Sequence, residues 1–220
     1  MDAASTQIAL VTEEDKTFYA LGKLLGRNIG VFQLTPHEFE IVKAGLAEAV
    51  FKSRPERVEI EVYGPKVDLL AKAKSKQAAV GEKARGDAYR AAVAQEPGAE
   101  ILPSGVIMKV ERAGDGASPD ETNRVTVNYE GWLIDGTRFD SSLKRGKPAT
   151  FPLNRVIRCW TGGIAKMRVG GKARLVCPPD QAYGDAGRPP AIPSGATLIF
   201  DVELISVDPP ETPEPSKSSN

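Results

Sequence analysis

Apolar residues recur every three or four positions through residues 12–96, then give way to short alternating or continuous runs through 105–207. That change of period predicts a helical half followed by a mostly β half. The first helix is expected to start at Thr12, whose hydroxyl can cap the turn, with Asp15 three residues on and acids in the first turn. Its apolar stripe is Phe18, Leu21, Leu25 and Ile29. The second helix carries a fuller start signal: Thr35 as N-cap, Pro36 at the first helical position and Glu38 closing a capping box. Phe39, Val42, Leu46 and Val50 follow as its stripe. Gly22 and Gly26 share one face of the first helix, and each costs about 1 kcal/mol against alanine, which predicts close approach of another helix there. Two helices of this size cannot bury both stripes against each other, so a partner surface is needed. A second copy of the chain is the expectation, with docking on the chain's own second half as the alternative.

A third, more polar helix is predicted over 65–96, rich in Ala and Lys, starting at Pro65 and stopped by Pro97-Gly98. At 1.5 Å per residue it would span roughly 45 Å as a solvated spacer, with Gly81 and Gly86 permitting a bend. In the second half, strand-like runs cover 106–110, 124–132, 172–177 and 196–207, and Asp135-Gly136 is a hairpin signal. One short helix is predicted over 156–167, with Ile157, Trp160, Ile164 and Met167 on one face. The fold class is α+β: a twisted antiparallel sheet wrapped around one short helix, preceded by an all-α helical domain and a long linking helix. The expected divisions are a dimerisation domain over 1–60, a linker over 61–98, the sheet domain over 99–208, and a Pro/Ser-rich tail of disordered composition over 209–220.

Composition narrows the function by exclusion. Across 220 residues, apolar content of 41% and charged content of 26% are ordinary for a soluble globular protein. Lys+Arg and Asp+Glu both number 29, so no net field points to nucleic acid or an acidic membrane. No apolar run approaches a membrane-spanning length. The first residues lack the basic and apolar regions of a secretion signal, which suits either a cytosolic protein or an exported one already processed. Cys159 and Cys177 are too few for a structural zinc site, and two buried small hydrophobes is the better expectation, with a disulfide as the other. His37, the only histidine, has no ligand partners suggested nearby, and no metal or cofactor is expected. Gly162-Gly163 and Gly170-Gly171 fit turns bordering the short helix, and no G-x-x-x-x-G-K-[ST] motif occurs.

What remains is a set of six clusters: Tyr129, Phe139-Asp140, Val156-Ile157, Trp160, Tyr183 and Phe200. Singly each reads as structure: a core aromatic, a turn carboxylate, a loop anchor. Jointly they would line one apolar pocket with a single carboxylate and a single phenol, a place for a compact apolar group recognised by shape and desolvation.

The residues carrying these clusters resemble a known family. Val127-Asn128-Tyr129-Glu130-Gly131, Gly136-Thr137-Arg138-Phe139-Asp140-Ser141-Ser142, Val156-Ile157-Arg158-Cys159-Trp160, Ala182-Tyr183-Gly184 and residues 196–204 are similar to the FK506-binding-protein (FKBP) family of peptidyl-prolyl isomerases. Tyr19-Ala20-Leu21-Gly22 and Leu25-Gly26-Arg27-Asn28 resemble the dimerisation region of its bacterial FkpA and macrophage-infectivity-potentiator branch. The resemblance implies Trp160 as the floor of a proline pocket and Tyr129, Phe139, Val156, Ile157 and Phe200 as its walls. Asp140, Tyr183 and the Ile157 N–H would be its polar groups, Arg145 would stand behind Asp140, and Ile192 would contact substrate. Ala149, Arg188 and Ala191 depart from the best-known members, replacing a wall aromatic, a frequent histidine and a larger aliphatic. Implied partners are proline-containing unfolded or partly folded proteins, macrolides such as FK506 or rapamycin, and a second copy through residues 1–60, with no nucleic acid. The implied compartment is the periplasm or outer membrane, where a Cys159–Cys177 disulfide could form; the cytoplasm is the alternative. The competing reading is a proline-segment-binding holdase with little isomerase activity.

Overall fold

Both helix starts form as expected in the computed structural model, which describes residues 8–52 and 57–209. Helix α1 (Glu13–Ile29) opens on Thr12, whose hydroxyl accepts from the Asp15 N–H at 3.0 Å while Asp15 accepts from the Thr12 N–H at 2.7 Å. Helix α2 (Pro36–Phe51) repeats the exchange between Thr35 and Glu38. Neither helix buries a residue; Phe18 stays 63% exposed and Leu46 50%. Beyond the backbone of α1 itself and the neighbouring residues, no described atom lies within 4 Å of a Cβ built on Gly22 or Gly26, so the close approach they predict is not made within the described residues. The expected tail falls almost wholly on 210–220, outside those residues.

The third helix begins earlier than predicted. Helix α3 runs Ile60–Val93, 34 residues, with Pro65 inside it. The Glu59 carbonyl accepts from both the Val62 and Tyr63 N–H groups, so the first turn is nucleated before the proline. Pro65 then forfeits only the one bond its own N–H would make. By contacts the chain divides into two compact units, Met1–Ser75 and Lys76–Asn220, and α3 contributes to both.

In the second unit α3 is not a solvated spacer. Ala79, Glu82, Gly86 and Val93 are buried. A Cβ on Gly86 would overlap the Thr197 hydroxyl, which accepts from Arg90 Nη1 at 2.8 Å. Gly86 is thus a point of close approach, not a bend. Lys83 pairs with Asp185, and a Cβ on Gly195 would lie 2.8 Å from the Ala79 carbonyl oxygen.

The sheet is antiparallel and seven-stranded: β1 (Ala99–Ile101), β2 (Ile107–Arg112), β3 (Arg124–Leu133), β4 (Arg138–Ser141), β5 (Ala149–Pro152), β6 (Lys172–Cys177) and β7 (Leu198–Asp208). The order is β1-β2-β6-β7-β3-β4, and β5 joins β4 on the same edge of β3. Inward residues alternate along β3: Val125 and Val127 are fully buried and Tyr129 is next on that face. One face covers a core of Leu153, Ile164, Leu175, Leu198, Val202 and Leu204. The other packs Ile107, Val176 and Ile199 against Val93 and Tyr89 of α3.

The short helix α4 (Arg158–Ile164) is shorter than predicted. Leu153–Arg155 forms a separate 3-10 turn, Val156 is extended, and Ile157 caps α4 with ψ 146°. Gly162 and Gly163 lie inside α4, not in a bordering turn, and a Cβ on Gly163 would sit 2.8 Å from the Leu175 methyls. Cys159 of α4 and Cys177 of β6 form a disulfide with Cα atoms 5.6 Å apart, in place of two separate buried thiols.

Candidate active site

Five elements converge on one cavity of about 790 Å3: β3 brings Tyr129, β4 Phe139 and Asp140, β5 Phe151, α4 and its N-terminal approach Val156, Ile157 and Trp160, and β7 Phe200. Tyr183 and Arg188 close it from the loop between β6 and β7. All six clusters read from the sequence therefore meet in one place.

Trp160, only 5% exposed, is the hub. Tyr129 meets its ring edge-on at 4.8 Å between centroids, Phe200 at 5.1 Å, and Phe151 tilts against it at 5.3 Å. Phe139 stands edge-on to Phe200 at 5.6 Å. Such T-shaped contacts suit the quadrupoles of the rings and fix their orientation. Gly131 makes this possible, since a Cβ there would lie 2.7 Å from Phe139 and 3.0 Å from Phe200. The Trp160 indole N–H is buried and has no hydrogen-bond partner among the described residues.

The polar groups fall into two sets. Tyr129 donates to Asp140 Oδ2 at 2.5 Å, Arg145 pairs with Asp140 Oδ1 and donates to the Tyr129 oxygen at 2.8 Å, and the Ser141 N–H donates to Asp140 at 2.8 Å. Burial pushes the Asp140 carboxyl up, but the bonds from Tyr129, Arg145 and Ser141 outweigh it and hold it below the usual carboxylate range. Burial, then the bond to Asp140, pushes the Tyr129 phenol up. This set is fully engaged: Asp140 is a carboxylate at neutral pH while the Tyr129 phenol keeps its proton, and the bonds that hold the Asp140 carboxyl down make it a poor base. The second set is unspent. The Tyr183 hydroxyl and the Ile157 N–H have no acceptor among the described residues, while the Ile157 carbonyl accepts from Trp160 and Thr161 at 2.9 and 3.1 Å.

Three residues singled out from the sequence lie outside the cavity lining. Ile192 does not line the cavity; it is 3% exposed in the core, and its backbone N–H and carbonyl both bond Arg188. Arg145 stands behind Asp140, outside the lining. Ala149 is also outside it, and Phe151, two residues along β5 on the same face, supplies an aromatic wall. Phe151, Arg155, Arg158, Asp180 and Ala182 line the cavity without having been singled out. Only Phe151 had a signal, its alternation with Thr150, and four residues are too few to establish a period. Among the described residues no group of His, Cys, Asp and Glu could hold a metal ion.

Residues 116–205 match the model of the FKBP-type peptidyl-prolyl cis-trans isomerase, and residues 14–110 match the domain amino terminal to it. The chain is 38% identical to the FKBP-type peptidyl-prolyl cis-trans isomerase FkpA of Escherichia coli, over 94% of this chain and 80% of that protein. It is 38% identical to the outer membrane protein MIP of Legionella longbeachae, over 93% and 90% respectively. The crystal structure of FkpA from Escherichia coli superposes with a TM-score of 0.68, covering 91% of this chain and 99% of that one.

Proposed function

The chain belongs to the FKBP-type peptidyl-prolyl cis-trans isomerases and has their activity, and from that membership we propose that it turns X–Pro bonds in the Trp160 cavity. An X–Pro amide has a rotation barrier near ~20 kcal/mol, because twisting destroys resonance, while its cis and trans states differ by only about 1 kcal/mol. No bond need break. The catalyst must bind the twisted amide better than the planar one. The planar amide is the more dipolar form and is the better solvated by water, so a cavity walled by Tyr129, Phe139, Phe151, Val156, Trp160 and Phe200 favours the twisted form. The unspent Tyr183 hydroxyl and Ile157 N–H hold the substrate carbonyls, and that division between engaged and unspent groups carries the assignment. Asp140, fixed by Tyr129 and Arg145, orients the wall and sets the local field without exchanging a proton.

Asp140→Leu and Tyr183→Phe test the assignment in an X–Pro peptide assay. Loss of one substrate hydrogen bond, about 1 kcal/mol, lowers kcat/KM about fivefold for Tyr183→Phe. Asp140→Leu, which also strands Tyr129 and Arg145, lowers it further. Unchanged kcat/KM in both contradicts the proposal.

Residues 1–60 are proposed as a homodimerisation module, residues 61–98 as a linker and 99–208 as the isomerase domain. The exposed stripes of α1 and α2 support the first, as does a groove of about 910 Å3 lined by Ile41, Ala44, Gly45, Ala49, Val58 and Ile60. The same apolar surface supports holdase activity toward proline-containing, partly folded clients beside isomerisation. FK506 or rapamycin is expected to compete for the cavity. The buried disulfide and the outer-membrane name of one relative support a periplasmic or outer-membrane-associated location.

A further inference from the structure

The rim of the cavity carries an excess of positive charge that no ion pair among the described residues takes up. Arg155 and Arg158 flank Val156 and Ile157 on one side, and Arg188 stands on the loop after Tyr183. All three line the cavity and all three are exposed. Elsewhere in the same unit arginines hold carboxylates: Arg112 with Glu203, Arg138 with Glu130, Arg145 with Asp140 and Arg174 with Asp201. The side chains of Arg155 and Arg158 make no ion pair or hydrogen bond among the described residues, and Arg188 has only its backbone bonds and the Tyr183 ring, 6.0 Å from its guanidinium carbon. The lining holds two acids. Asp140 is already taken by Arg145, and Asp180, which accepts from the neutral Gln181 amide at 3.0 Å, offsets only part of the charge of three guanidiniums. The chain as a whole has no net charge, so this excess is local.

A guanidinium presents a planar fork of donors that fits a carboxylate and keeps its charge at every working pH. With a prolyl ring on Trp160, the side chains flanking it leave the apolar wall and emerge at this rim. We propose that Arg155, Arg158 and Arg188 set the sequence preference of the enzyme, selecting X–Pro segments with a glutamate or aspartate next to the proline and disfavouring lysine there. The inference rests on the Trp160 cavity being the isomerase site. Each exposed charge pair is worth up to about fivefold, so the three together are expected to give about tenfold discrimination, screened by salt.

The test uses the full chain and two series of proline tetrapeptides, with Glu, Gln or Lys just before or just after the proline. At low ionic strength the Glu/Lys ratio of kcat/KM is expected to be about ten times larger for the native protein than for Arg155→Gln/Arg158→Gln/Arg188→Gln, in at least one series. In 1 M salt that difference shrinks to about twofold or less. Near-UV circular dichroism checks that the variant, changed only at exposed positions, keeps its fold. Equal Glu/Lys ratios for the two proteins in both series, with the Gln peptides still turned over, overturn the preference and leave the isomerase site standing. No acceleration of any peptide overturns the site assignment and the preference with it.

Discussion

The two compact units treat the same kind of residue in opposite ways. In the second, Leu175, Leu198 and Leu204 are wholly enclosed; in the first, Phe18, Leu21 and Phe51 keep half or more of their surface in the open. Yet the starts of α1 and α2 are better formed than that of α4: both capping boxes are closed, whereas α4 has no side-chain cap. Local structure and tertiary completion are thus separate matters. Caps satisfy backbone groups within a few residues, whereas an apolar stripe is satisfied only by another surface. The second unit finds that surface in its own sheet and α4. The first has none among its described residues, and a second chain is what we propose supplies it.

The largest contrast should appear on cutting leucines. Leu175→Ala opens a cavity beside Gly163 and is expected to cost about 2–5 kcal/mol in denaturant unfolding. Leu46→Ala, in dilute protein, is expected to cost under about 0.5 kcal/mol while weakening association in sedimentation. Equal costs in dilute protein would mean that α2 is covered within one chain. Next in size is the Cys159–Cys177 crosslink, which spans 18 residues. Replacing both cysteines by alanine is expected to lower stability by about 2–4 kcal/mol and leave the sedimentation coefficient unchanged.

Glycines separate the units by sign. Gly86→Val drives a side chain into Thr197 and is expected to destabilise by about 1–3 kcal/mol. Gly22→Ala meets open space, so it is expected to stabilise the dissociated chain by up to about 1 kcal/mol, read by helical circular dichroism, while impairing association. The smallest effect is that of pH. Because Asp140 is held below the usual carboxylate range, its contribution is present at neutral pH and is lost only as pH falls through that lowered value. Unfolding midpoint and kcat/KM are expected to stay flat from pH 8 to 5 and to fall below about pH 4. A decline centred near pH 6 would show that another group controls the site.

Much of this was legible in the chain. Thr12, Thr35 and the β6 run announce their elements because capping and period are local signals. The cavity's six clusters were legible only jointly, through order and spacing. What was not legible depended on distant contacts. Gly86 read as a bend because Thr197, more than a hundred residues on, was not yet beside it. Ile192 was expected at the substrate through the resemblance alone, and its burial beneath the Arg188 loop depends on contacts that sequence does not show. Phe151 and β5 were hidden by the brevity of a four-residue strand. The rim arginines were hidden because only three-dimensional neighbours reveal which charges lack a partner.

One assay addresses the division of labour directly: kcat/KM on a single proline tetrapeptide for Phe139→Ala and Leu25→Glu, with sedimentation of each. Phe139→Ala, which removes a ring from the cavity wall, is expected to lower kcat/KM about tenfold or more and leave association intact. Leu25→Glu, which charges the exposed stripe of α1, is expected to abolish association and leave kcat/KM within about twofold. The reverse pattern, with Leu25→Glu silencing catalysis and Phe139→Ala sparing it, would contradict a catalytic site contained in the Trp160 cavity.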